Sequence, residues 1–191
     1  MRRALFLLAV ASTLLTGCGD AQNEFSSAPC YVQVDNSKHQ DATLASAMNP
    51  SSPGVFCIVS RQSKAGATYF AFSNNVGQSS TSIYNAIDKR LTLVFGLNNG
   101  VIVGYGNLSS PAVFYAYDVE CPNCFNPQAL PVKSRPLKLS SNGIATCAVC
   151  KREYNLNNGG VIAKGDGGKK LTRYRCATSG PFGVLQVNST T

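Results

Sequence analysis

The sequence predicts an all-β fold, an antiparallel barrel or sandwich. Short runs of β-branched, aromatic and aliphatic residues recur along the chain, and clusters of Gly, Pro, Asn and Ser divide them. Within one run, Leu171-Thr-Arg-Tyr-Arg, apolar and polar side chains alternate with the period of a half-buried strand. The body of the chain offers only two short stretches for helices, Thr43–Met48 and Ser82–Lys89, and neither carries a strong cap.

Residues 1–17 read as a signal peptide. Arg2 and Arg3 are its basic start, and the apolar run from Ala4 to Leu15 is too short to span a bilayer. Leu15-Thr-Gly-Cys18 then has the pattern of a lipobox, in which the cysteine is acylated after cleavage. The alternative is an ordinary secreted chain with an incidental Cys18. Acylation would anchor the protein to a membrane, facing the periplasm or the cell surface, and more than one acyl chain is needed for a stable anchor. Gly19, not Asp, follows Cys18, so nothing here signals inner-membrane retention. Residues 18–29 are polar and aperiodic after the cysteine and read as a tether. Residues 30–191 remain, enough for one domain with a real core.

The expected strands are Tyr31–Val34, Val55–Val59, Thr68–Phe72, Leu91–Phe95, Gly100–Gly104, Val113–Asp118, Pro136–Leu139, Gly143–Thr146, Leu171–Cys176 and Gly183–Val187. Asn98-Asn-Gly100 and Asn157-Asn-Gly159 supply residues that tolerate positive φ and predict tight turns. Gly165-Asp-Gly-Gly168 reads as a hairpin tip rather than a phosphate-binding loop.

Two Cys-x-x-Cys pairs, Cys121-Pro-Asn-Cys124 and Cys147-Ala-Val-Cys150, carry the chemistry. Each falls at a break between strand-like runs, where a tight turn can aim two sulfurs at one point. Four thiolates in two such knuckles are the usual closed, tetrahedral site for structural zinc. An all-Cys [2Fe–2S] cluster or a single rubredoxin-like iron would use the same ligands. A metal-free reading, two disulfides, stays open in an oxidising compartment.

From Tyr115 onward the chain resembles the Rieske ferredoxin family. The residues that carry this are Tyr115-Ala-Tyr-Asp-Val-Glu-Cys121-Pro122, Ala145-Thr-Cys147-Ala-Val-Cys150-Lys-Arg-Glu-Tyr154-Asn-Leu156, Asn158-Gly-Gly-Val161, and the runs through Leu171–Tyr174 and Gly183–Val187. Gly100-Val-Ile-Val-Gly104 looks like the upstream sheet of that family's lipoprotein branch. The resemblance implies a Rieske-like domain over 30–191, with a small metal-binding subdomain of two knuckle loops at about 121–156. It also implies a structural role for the acidic residues Asp118 and Glu120. The ligand set departs from the family: Asn123 stands at its first His position and Cys150 at its second. The only histidine in the chain is His39, so a two-His centre is impossible within one chain. Cys121 and Cys147 fall at the two Cys positions, and Cys124 lies one residue beyond the first His position.

The remaining chemistry-bearing residues are few. Tyr154 either packs as a core aromatic or donates a hydrogen bond to a ligand sulfur. Cys30, Cys57 and Cys176 sit in or beside apolar runs and read as buried thiols, with one disulfide among them as the alternative. His39, in Ser-Lys-His-Gln-Asp, reads as an exposed loop residue without a catalytic partner. Catalysis therefore has little support. The formal charge is +8, or +6 once Arg2 and Arg3 are removed. Residues 133–175 hold ten basic residues against Glu153 and Asp166, a net +8, so the rest of the mature chain is slightly acidic. That asymmetry suggests either a solvated face or a face for an acidic protein or an anionic surface. Nucleic acid is a poor candidate as a partner, because a signal peptide would export the chain.

Overall fold

The computed structural model describes residues 24–190. The signal peptide and Cys18 read from the sequence lie outside the described residues. Strands β1 (Tyr31–Asp35), β2 (Phe56–Lys64), β3 (Ala67–Asn74), β4 (Ser79–Ile83), β5 (Val101–Tyr105) and β6 (Phe114–Asp118) are followed by four short strands. These are β7 (Leu137–Leu139), β8 (Ile144–Cys147), β9 (Glu153–Asn155) and β10 (Val161–Lys164). Strands β11 (Arg173–Thr178) and β12 (Val184–Asn188) complete the fold. The long strands form one eight-stranded antiparallel sheet in the order β1-β12-β11-β6-β5-β2-β3-β4. The short ones form a second sheet, β10-β9-β8-β7. An isolated bridge between Tyr31 and Val94 brings the segment beyond β4 back to β1, so the large sheet curls. No helix among the described residues is long and apolar enough to cross a membrane.

Successive side chains of a strand point to opposite faces, and in the middle of the large sheet both faces are covered. Val101 and Val103 of β5, Ala116 of β6, and Cys57 and Val59 of β2 enter one core. There they meet Val32, Val34, Phe70, Phe72, Leu185 and Val187, and the helix α2 (Ala42–Ala47) covers them with Leu44 and Ala47. Ile102, Tyr115, Tyr117 and Phe56 point the other way. They form a second core with Leu137, Ala145, Tyr154, Leu156 and Leu171 from the small-sheet side. That second core contains Cys121 and Cys147.

The expected runs map onto strands with shifted ends, with the following exceptions. Leu91–Phe95 makes only the bridge through Val94, because the turn over residues 96–99 follows at once. Ser82–Lys89 is not a helix. Residues 82–83 finish β4, whose hydrogen bonds to β3 decide its state, and only a 3-10 turn at Asp88–Arg90 follows. The loop 165–168 is not a hairpin tip either, since β10 and β11 belong to different sheets. It is a crossover between them. The small sheet runs to Lys164, eight residues past the expected edge of the metal-binding part at 156. A four-residue helix, α1 (Asn36–His39), and α2 sit between β1 and β2; against the expectation of no strong cap, Asp41 caps α2 by accepting from the Leu44 N–H at 2.9 Å.

Candidate metal centre

Strand β6 leads into the first knuckle and β8 into the second. In the first, the N–H groups of Cys124 and Phe125 both donate to the Cys121 carbonyl, at 3.1 and 2.8 Å. In the second, Lys151 N–H donates to the Cys147 carbonyl at 3.0 Å. Lys151 itself takes φ of +60°, which turns the chain immediately after Cys150. The knuckles are held to their surroundings by Cys121 N–H to the Arg135 carbonyl and Cys147 N–H to the Arg152 carbonyl, both 3.0 Å.

The four Sγ atoms of Cys121, Cys124, Cys147 and Cys150 all lie within 4.8 Å of one another. Cys121 and Cys150, from different knuckles, have their sulfurs 3.8 Å apart. One cysteine of each knuckle, Cys121 and Cys147, is buried, and the other, Cys124 and Cys150, stands half-buried at the rim. Burial pushes the Cys121 thiol up, against the hydrogen bonds of Tyr154 and the Asn123 N–H. Cys124 is pushed up to about 12 by burial and by its neighbouring thiols. At Cys150 burial also acts upward, but the backbone and guanidinium donors of Arg152, together with the thiols of Cys124 and Cys147, outweigh it and bring the thiol down to about 6. Four thiols this close cannot all ionise unless a cation among them offsets their mutual repulsion. The donor set therefore fits a metal ion.

Around the sulfurs lies a hydrogen-bonded shell. Tyr154 is fully buried, as a core aromatic would be, and its hydroxyl also lies 3.3 Å from Cys121 Sγ. The Asn123 amide donates to that hydroxyl oxygen at 2.9 Å, which leaves the hydroxyl proton for the sulfur. Asn123 also grips the crossover: its Nδ2 donates to the Lys169 carbonyl at 2.8 Å and its Oδ1 accepts from Lys169 N–H at 2.9 Å. A Cβ on Gly168 would meet Asn123 Oδ1 at 2.5 Å, so glycine there permits the approach. Arg152 reaches the same loop from the second knuckle, donating to the carbonyls of Asp166 and Gly167 at 2.9 and 3.0 Å. The paired side-chain bonds of Asn123, and Arg152's reach to the loop, escaped the sequence reading, because nothing in a crossover's composition names its partner.

Asp118 and Glu120 are buried and tie the first knuckle to the sheet. Asp118 accepts from Leu97 N–H at 2.7 Å, Glu120 N–H at 2.8 Å and the Tyr174 hydroxyl at 2.8 Å. Burial still raises its carboxyl above the ordinary range. Glu120 accepts from Asn98 at 2.8 Å, from Ser134 Oγ at 2.6 Å and from the Arg135 N–H. A Cβ on Gly96, which has φ of +63°, would meet Asp118 Oδ2 at 2.3 Å, so the turn closes on the carboxylate only with glycine there.

Away from the cysteines, His39 is not an exposed loop residue. Its side chain is 3% exposed, packed edge-on against Phe70 with ring centroids 5.1 Å apart. Nδ1 lies 2.8 Å from Ser82 Oγ, and Nε2 stands 3.2 Å from Asp88 Oδ2, off the hydrogen-bond axis. The trio joins α1, β4 and the 3-10 turn. Cys30 and Cys57 are buried free thiols and Cys176 a partly buried one. Burial pushes Cys30 and Cys176 up to about 12.

No family model matches this chain, and neither a curated protein nor a solved structure matches it.

Proposed function

We propose that this protein is a membrane-anchored, non-catalytic binding module in which Cys121, Cys124, Cys147 and Cys150 hold one structural zinc ion. One observation carries the reading: the mutual approach of all four sulfurs to within 4.8 Å. Four sulfurs about 2.3 Å from one ion stand about 3.8 Å from each other, and Cys121 and Cys150 are at 3.8 Å. A [2Fe–2S] cluster would interpose a second metal and two sulfides, and would hold the two pairs of cysteines further apart than one tetrahedron's edge. Four protein ligands leave no open position for a substrate, which supports a role without catalysis. The ion would clamp the loops that carry the small sheet and the crossover, and so shape the basic face.

A second reading is a periplasmic electron carrier with a single rubredoxin-like iron or an all-Cys cluster. The half-buried Cys124 and Cys150 favour it, because a rim sulfur gives an electron a short way out. The resemblance of the segment from Tyr115 to the Rieske ferredoxin family is one of sequence pattern, and Asn123 and Cys150 at its two His positions take a two-His centre out of both readings. The test is elemental analysis with an absorption spectrum on protein purified anaerobically without added metal. One zinc per chain and no visible bands is the expected result. One iron with thiolate-to-iron bands would select the second reading. Two irons with matching acid-labile sulfide would overturn the mononuclear site.

A further inference from the structure

The described chain starts on the basic end of the domain. Ser26 N–H donates to the Arg173 carbonyl at 2.8 Å, and Thr190 N–H donates to the Ser26 carbonyl at 2.9 Å. Glu24 pairs with the Arg173 guanidinium. The Phe25 ring lies under Arg173 at 4.9 Å and under Arg175 at 5.9 Å. Part of the stretch read as a tether, from Glu24 on, is thus laid along β11. From Glu24 back to Cys18 is six residues, a reach of at most about 20 Å when fully extended.

That point is surrounded by cations. Lys170 shares a surface cleft with Glu24, Phe25 and Arg173. Lys169 is fixed beside it by Asn123. Arg152 holds the neighbouring loop, with Lys151 next to it in the chain. Counting Lys151, Arg152, Lys164, Lys169, Lys170, Arg173 and Arg175 against Glu24, Glu153 and Asp166 leaves +4 at this end. Among the described residues Lys151, Lys169, Lys170 and Arg175 are exposed and pair with no carboxylate. The mature chain outside 133–175 carries +6 less +8, or −2.

We propose that the Lys169–Lys170 end of the domain lies on anionic phospholipid headgroups, held there by the short N-terminal segment pinned to β11. The proposal rests on the reading of Cys18 as the membrane anchor. An anchor at Cys18 holds Glu24 within about 20 Å of the membrane, near enough for the neighbouring lysines to enter the surface potential, which acts within about one Debye length, roughly 10 Å. A basic patch beside an acyl chain supplies the second of the two signals that stable anchoring needs. Because Asn123 of the first knuckle positions Lys169, the metal site and this surface are mechanically joined.

The test uses the mature chain, residues 18–191, with Cys18→Ala so that no acyl chain contributes. It is sedimented with vesicles of phosphatidylcholine alone and of phosphatidylcholine with about one-third phosphatidylglycerol. Binding to the anionic vesicles is expected to be about tenfold tighter at low salt, and to disappear in about 0.5 M salt. Lys169→Glu with Lys170→Glu is expected to abolish the difference, while Lys38→Glu on α1 leaves it unchanged. Equal binding to both vesicles, or full binding by the double variant, would overturn the proposal. So would retention on an acidic polypeptide without vesicle binding, which would assign the face to a protein partner. The anchor is read separately, as added acyl mass on Cys18 in the intact protein extracted from membranes, so a failed anchor and a failed surface give different results.

Discussion

The two faces of the large sheet are covered in different ways. One is closed by strands of five to nine residues and a helix, with Val32, Val34, Leu44, Phe70, Phe72 and Val187 forming a core that is chiefly apolar. The other is closed by strands of three and four residues, and its core relies on Tyr115, Tyr117 and Tyr154 together with Cys121 and Cys147. Strands that short cannot bury enough apolar surface to order themselves. We expect the first core to hold by burial alone and the second to depend on four sulfurs drawn to one point and on the buried Glu120 carboxylate, which accepts from Asn98, Ser134 and the Arg135 N–H.

The largest expected effect that would break this contrast comes from a ligand. Cys147→Ser should release the metal and remove on the order of 10 kcal/mol of binding free energy coupled to folding. Thermal unfolding should then split, with the small sheet melting first and the large sheet later. A single transition with full metal content would show that the two halves are not separately supported. Phe70→Ala, in the other core, should cost about 3–5 kcal/mol in chemical denaturation. Metal content per folded molecule should stay unchanged.

Asp118 sharpens the contrast through pH. Its folded-state carboxyl is raised, so the folded chain binds more protons than the unfolded one between the two pKa values. Stability should therefore fall as pH rises from about 4 through the folded pKa, and level off above it. Asp118→Asn should flatten that part of the stability profile and, by disturbing three hydrogen bonds, cost about 2 kcal/mol. The smallest effect is expected from Tyr154→Phe, which keeps the packing but deletes the hydroxyl beside Cys121. It should cost about 1 kcal/mol of stability and about tenfold in metal affinity measured by chelator competition.

Most of the large sheet was legible because its strands carry apolar side chains that repeat. Val101-Ile-Val and Phe114-Tyr-Ala-Tyr show this, although burial on both faces replaces alternation with continuous runs. Ser79-Ser-Thr-Ser-Ile was not legible, since an edge strand is defined by its hydrogen bonds to β3 and has little to bury. Glu153-Tyr-Asn was too short to give a period. The four converging cysteines were readable from spacing alone, because each knuckle is a local turn. Their supports were not: Asn123 meets Lys169 across 46 residues, and His39 meets Ser82 across 43. Contacts of that range are made by topology, and in the polar stretch Ser-Lys-His-Gln only the His39 side chain is buried while its neighbours stay exposed.

The central claim is that a metal bound by the four cysteines orders the small sheet and not the large one. Amide hydrogen exchange on the metal-loaded protein, repeated after removal with a high-affinity chelator under reducing conditions, tests it most directly. The account predicts that protection is lost in β7 to β10 and both knuckles and retained in β2, β3 and β5. Unchanged protection of the small sheet, or equal loss across both sheets, would contradict it.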